Sequence, residues 1–180
     1  PATHVGLAVG VDDRPPMLCH AERGRSLLDL WTGTHQRGVQ LHDLRDAVRV
    51  WSDRYGQQAW MRQLSIDPTT DHEDAVLRTI ARLDGTPFPS TARLTARWFQ
   101  GRMPLIGPRR TGTGRSDTKW ESAFCAQVVA RTYEDMGLLV RGKDSSWYDP
   151  GRFWSGDRLP LVPGISLGSE IAVLVDPPEG

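Results

Sequence analysis

One cysteine and two histidines carry the chemistry for which this chain can be read. Cys125 falls in Ser122-Ala123-Phe124-Cys125-Ala126-Gln127-Val128-Val129-Ala130. Ser122 is a good N-cap, Phe124, Val128, Val129, Tyr133 and Met136 have helical spacing, and Gly137 is a helix stop. A helix opening at Ser122 makes Cys125 its third residue. Unpaired backbone N–H groups and the positive end of the helix dipole stabilise a thiolate there, and cysteines in such settings titrate up to several units below the free value of about 8.5. A thiol nucleophile also needs a base.

Two short strands supply the histidines. From Thr3 to Val11 the chain alternates strictly, with Val5, Leu7, Val9 and Val11 on one face and His4, Gly6, Ala8 and Gly10 on the other. The turn signal Asp12-Asp13-Arg14-Pro15-Pro16 follows, and Met17-Leu18-Cys19-His20-Ala21 reads as a second strand. A loop at Asp12 to Arg14 sets Val11 against Pro15 and therefore Gly6 against His20. His4 then lies diagonally from His20 on the same face, and diagonal neighbours of this kind are roughly 7 Å apart. One imidazole is placed to deprotonate the thiol and the other to orient the first and hold its tautomer, a Cys125/His4/His20 constellation.

The motif order "HVGLAVG", then "LCHA", a long middle and a late "FCAQVVARTYEDMGLL" resembles the circularly permuted branch of the NlpC-type papain-like cysteine hydrolases, which includes the lecithin:retinol acyltransferase-like enzymes. The resemblance implies that His4 is the general base, His20 the third polar residue of the following strand, and Cys125 the nucleophile. Many bacterial members carry Glu at the third position and others His. It also implies an α+β, papain-like fold, with a small antiparallel sheet packed against the helix that bears the cysteine. Three short motifs carry the likeness, and their order and spacing make it more specific than any one of them. Two departures stand out. The family usually opens with a further strand ahead of the histidine strand, whereas this chain begins at Pro1, which reads as a fragment or processed form. The helix has "CAQVV" where many relatives have "CSE", so the residue after the nucleophile is not polar. The Cys125 backbone N–H remains a candidate oxyanion donor.

Composition sets the outer bounds. With 180 residues, 38% hydrophobic and seven Trp, the chain can bury one sizeable core, and residues 1–180 read as one domain. Lys+Arg and Asp+Glu are equal at 22 each, which argues against a general nucleic-acid partner. No uncharged apolar run approaches the roughly 20 residues that a membrane span requires. There is no signal-peptide pattern, although an upstream segment is free to carry one; localisation stays open, with the cytoplasm favoured. Cys19 and Cys125 are expected as two thiols, Cys19 in the core and on the side of its strand opposite His20.

The middle alternates short strands and helices. Gly38 to Leu41 reads as a strand leading into a short helix from Asp43 to Val48, and Gln58 to Ile66 alternates weakly as another strand. The clearest helix runs from about Thr70 to Leu83, capped by Thr70, with Asp71, Glu73 and Asp74 in its first turn and Val76, Ile80 and Leu83 as its buried stripe. Thr91 to Gln100 reads as a further helix and Glu170 to Val175 as a final strand. Gly101 to Ser116 holds four Gly, two Pro and four Arg with no acidic residue. It is a solvated loop by default, and a basic lip suited to an anionic substrate in the sharper reading. Trp147 to Trp154 is aromatic and turn-rich, more in keeping with core packing than with a cleft wall.

A lone helix Cys is more often core than catalytic. Phe124, Val128 and Val129 already define a buried face, and with the ordered His motifs they move Cys125 towards catalysis. His20 has a stronger structural alternative than His4, since Glu22 or a carbonyl can simply satisfy it. His35, His42 and His72 are expected at the surface. Zinc on Cys125, His4 and His20 is chemically possible, but no CxxC, HxxxH or HExxH spacing and no fourth ligand appear, so no metal and no cofactor are expected. The phosphate-loop and dinucleotide patterns are weaker still. The expected function is hydrolysis of an amide bond in a peptide, cell-wall peptide included, through a thiolate and an acyl-enzyme. A lipid or thioester acyl hydrolase or transferase, and a non-catalytic module with the same cleft, are the alternatives. The expected partner is a peptide or acyl-containing substrate; the sequence does not set the oligomeric state.

Overall fold

A computed structural model describes residues 2–10, 14–22, 24–83, 115–144, 147–156 and 159–174, with residues 115–123 as backbone only. Among them the chain forms β1 (Leu7–Val9), β2 (Met17–Glu22), β3 (Gly38–Asp43), α1 (Leu44–Tyr55), β4 (Ala59–Met61), α2 (Thr70–Leu83), α3 (Arg115–Asp135), a 3-10 turn (Pro150–Phe153) and β5 (Ile171–Val173). The class is α+β. The strands β1, β2 and β3 make an antiparallel sheet in that order, and β4 pairs with β5 in a second, two-stranded one.

The hairpin register is the one that a loop at Asp12 to Arg14 gives. Leu7 pairs with Cys19 and Val9 with Met17, which carried back one residue sets Gly6 opposite His20. A Cβ placed on Gly6 would lie 2.7 Å from Leu18 Cδ1 and 3.0 Å from His20 Cβ. The absent side chain is therefore what lets the two strands close at this point. β2 in turn pairs with β3, His20 against Gln40 and Leu18 against His42. β1 is shorter than its alternation predicts, and β2 and β3 are each longer.

β3 passes into α1 with no intervening loop, because Asp43 ends the strand and caps the helix. Its carboxylate accepts from Arg45 N at 2.9 Å and Asp46 N at 3.0 Å, and Gly56 closes α1 in the left-handed conformation. The helix thus extends seven residues beyond the expected end at Val48. α2 has the predicted span, but its cap is Thr69, whose hydroxyl takes the His72 N–H at 3.4 Å. β4 keeps only the first part of the predicted 58–66 strand, and the isolated Leu64–Leu167 bridge continues the pairing. The Arg62 guanidinium ties this second sheet together by donating to the carbonyls of Gly168, Phe153 and Leu167 at 2.7, 2.8 and 2.9 Å. The helix expected at 91–100 and residues 101–114 of the expected basic lip lie outside the described residues.

α3 is the longest helix described and is buried on two sides. Cys125 and Val128 pack with Val9, Cys19, Ala21, Val39 and Leu41 of the sheet and with Val76 and Ile80 of α2. Ala126, Val129, Ala130 and Tyr133 pack instead with Leu138, Leu139, Tyr148 and Phe153. The 147–154 segment is accordingly core in Tyr148 and Phe153, both buried. Gly137, with φ at 74°, ends the helix as its position predicts.

Candidate functional site

Strand alternation sorts the sheet into two faces. Val9, Cys19, Ala21, Val39 and Leu41 point into the core beneath α3. His20, Gln40 and His42 point the other way, and His4, just before β1, joins them. Trp51 of α1 packs edge-on against both His4 and His20, with ring centroids 5.4 and 5.3 Å away.

On that second face the histidines form a continuous hydrogen-bonded chain. His4 Nε2 lies 2.9 Å from His20 Nδ1, His20 Nε2 lies 2.9 Å from His42 Nδ1, and His42 Nε2 lies 3.0 Å from Gln40 Oε1. The direction of the chain follows from its far end. The Gln40 amide nitrogen faces two carbonyls, Glu22 O at 3.2 Å and Gly38 O at 3.5 Å. Carbonyls only accept, so the NH2 group must be on that side and Oε1 must face His42. His42 therefore carries its proton on Nε2 and accepts at Nδ1. His20 in turn donates from Nε2 and accepts at Nδ1, so His4 donates from Nε2. The lone pair of His4 Nδ1 is left as the basic terminus of the chain.

Burial keeps the chain neutral. Desolvation lowers the pKa of His4 to about 4 and that of His42 to about 4, with Asp29 opposing the fall and His35 adding to it. His20 is pushed well below its ordinary value by burial and then by the charges that His4 and His42 would carry. At pH 7 His4 is therefore neutral, and burial makes it a weaker base than a free imidazole.

The predicted site residues are thus partly gathered. His4 and His20 meet as the hairpin register requires. His42, expected at the surface, is instead 1% exposed and is the third member of the chain. Its signal was available: Gln40 and His42 alternate in β3, and β2 pairing places them on the His20 face. His35 is exposed as expected, and His72 is of intermediate exposure. Cys125 is placed differently from the sequence expectation. α3 begins at Arg115, ten residues before Cys125, so the thiol is inside the helix and not in its first turn. Its side chain belongs to the α3-facing core with Cys19, on the face of β2 opposite His20, and both cysteines are buried thiols. Val5, next in sequence to His4, packs against that same cluster.

A metal reading attaches to a different set from the one expected. Ligand atoms of His20, Glu22 and His42 lie within 4.8 Å of one another. Yet His20 Nε2 and His42 Nδ1 are bonded directly to each other, and the Gln40-imposed polarity puts a proton between them. A cation there would have to displace that proton and break the chain, so the geometry serves proton placement better than coordination. Against models of protein families, curated proteins and solved structures, the chain gives no match.

Proposed function

We propose that the chain is a cysteine-dependent hydrolase of amide bonds on a circularly permuted, papain-like α+β fold, with His4 as base, His20 as its orienting partner and Cys125 as nucleophile. The observation that carries this reading is the 2.9 Å His4–His20 bond, polarised through His42 and Gln40 so that His4 Nδ1 is left as an acceptor. In the reaction Nδ1 takes the thiol proton and the sulfur attacks the acyl carbon. The imidazolium is stabilised by the bond from its Nε2–H to His20, and it then protonates the departing amine; water completes the cycle from the acyl-enzyme. The reading requires His4 to meet a thiol that packs in the core on the face of β2 opposite His20.

A second reading, a binding module without thiol chemistry, is favoured by one observation: Cys125 is fully buried in a core of apolar side chains. The two readings part in one experiment. The pH dependence of iodoacetamide alkylation is followed by peptide mass mapping, with the buried Cys19 as the internal control. The hydrolase reading expects Cys125 to label faster than Cys19 below pH 7 and to slow in His4→Ala. Labelling of both thiols at one rate, unchanged in that variant, would reject the dyad and leave the binding module.

A further inference from the structure

The connection from β2 to β3 holds large apolar side chains out of the protein on a stiff frame. Leu28, Leu30 and Trp31 are 46%, 47% and 48% exposed within four consecutive positions. The loop that carries them is built around the fully buried Asp29. Its carboxylate accepts from Leu41 N at 2.7 Å, Thr32 N at 3.0 Å, Thr32 Oγ1 at 2.6 Å and Gln36 Nε2 at 2.9 Å. Its backbone N–H donates to Thr34 O at 2.9 Å, and its carbonyl accepts from Gly33 N at 2.8 Å, where φ of 68° allows the chain to reverse. Leu30 N donates to Leu41 O at 2.7 Å and fixes the loop to β3. A loop needed only to join two strands does not require this frame. The frame fixes the backbone from which the three apolar groups project.

Within this segment the exposed charge has one sign. Between residues 24 and 37 Asp29 is the sole acid, and its carboxylate is enclosed by its hydrogen bonds. Arg25, His35 and Arg37 are exposed at the base of the tip. The surface offered is therefore two leucines and a tryptophan with a cationic rim. A nucleic acid would match the rim and not the leucines. An apolar protein groove would match the tip and leave the arginines without a role. An anionic bilayer matches both, with Trp and Leu at the boundary between headgroups and acyl chains and Arg among the headgroups.

We infer that residues 24–37 form a rigid finger that docks the protein on an anionic lipid surface. This inference does not depend on the chemistry of Cys125. Docking of this kind is peripheral and reversible; among the described residues no helix is long and apolar enough to cross a membrane.

Co-sedimentation with phosphatidylcholine vesicles, with and without phosphatidylserine, tests it. The full chain is expected to sediment with the anionic vesicles and much less with the neutral ones, and to be released by salt. Leu30→Ser with Trp31→Ser should lower partitioning more than tenfold, and Arg25→Gln or Arg37→Gln about fivefold each. Trp31→Phe should retain most of the binding. Unchanged thermal unfolding of each variant separates loss of docking from loss of fold. Failure to sediment with either vesicle, equal binding to both, or binding unaffected by the tip variants would each overturn the inference. So would a concentration-dependent dimer abolished by the tip variants in a protein that does not bind vesicles.

Discussion

The two faces of β2 are built from adjacent residues and obey different physics. Cys19 and Ala21 face α3 and are held by close packing with Cys125, Val39 and Leu41. His20, between them, faces Trp51 and is held by two hydrogen bonds in a chain of three imidazoles. Packing tolerates a small deletion because neighbours relax partly into the space. A buried polar chain does not, because removal of one member orphans the groups on both sides. The apolar face thus holds the sheet to its helix, whereas the polar face specifies where protons sit.

The comparison is broken most sharply by paired substitutions one position apart. His20→Leu leaves His4 Nε2–H and His42 Nδ1 without partners and is expected to cost about 3–5 kcal/mol in denaturant unfolding. Cys19→Ala removes one sulfur from a packed core and should cost about 1 kcal/mol. Similar costs for the two would mean that the histidine chain contributes no more than its volume.

Acid should separate the faces next. Folding lowers the His4 and His42 pKa values to about 4 from the ordinary 6.5, so between those limits the unfolded chain binds protons that the folded chain does not. Stability from this source is fully present above about pH 6.5 and is lost as the pH falls towards 4, by about 3 kcal/mol for His4 alone. Unfolding free energies measured from pH 7 to pH 4 check it. A fall smaller by about that amount in His4→Phe, with the His42 part remaining, would assign the acid response to the chain, and an undiminished fall in that variant would place it elsewhere.

What the sequence discloses and what it conceals divide along the same line. The sharing of one face by His4 and His20 is legible because a strict alternation fixes which residues go together in any even pairing, and the observed register is the one that a loop at Asp12 to Arg14 gives. The meeting of His4 and His20 follows from that register. His42 is missed because the residue is read from its own neighbourhood, next to a helix start, whereas its burial is produced by pairing with a strand some twenty residues earlier. The start of α3 is misplaced for a related reason. Ser122 is a sound local cap signal, but a cap is worth only about 1 kcal/mol, and a helix already running from Arg115 has no need of it. With that shift the dipole argument for Cys125 no longer applies, and its environment is the core that its neighbours Val128 and Val129 announce.

Imidazole 15N shifts of the histidines at pH 7 read the direction of the imidazole chain directly. Three neutral rings are expected, each protonated on Nε2, with His4 Nδ1 unprotonated and loss of the single tautomer at His42 in Gln40→Leu. A proton on Nδ1 of His20 or His4, or a charged ring at that pH, would contradict it.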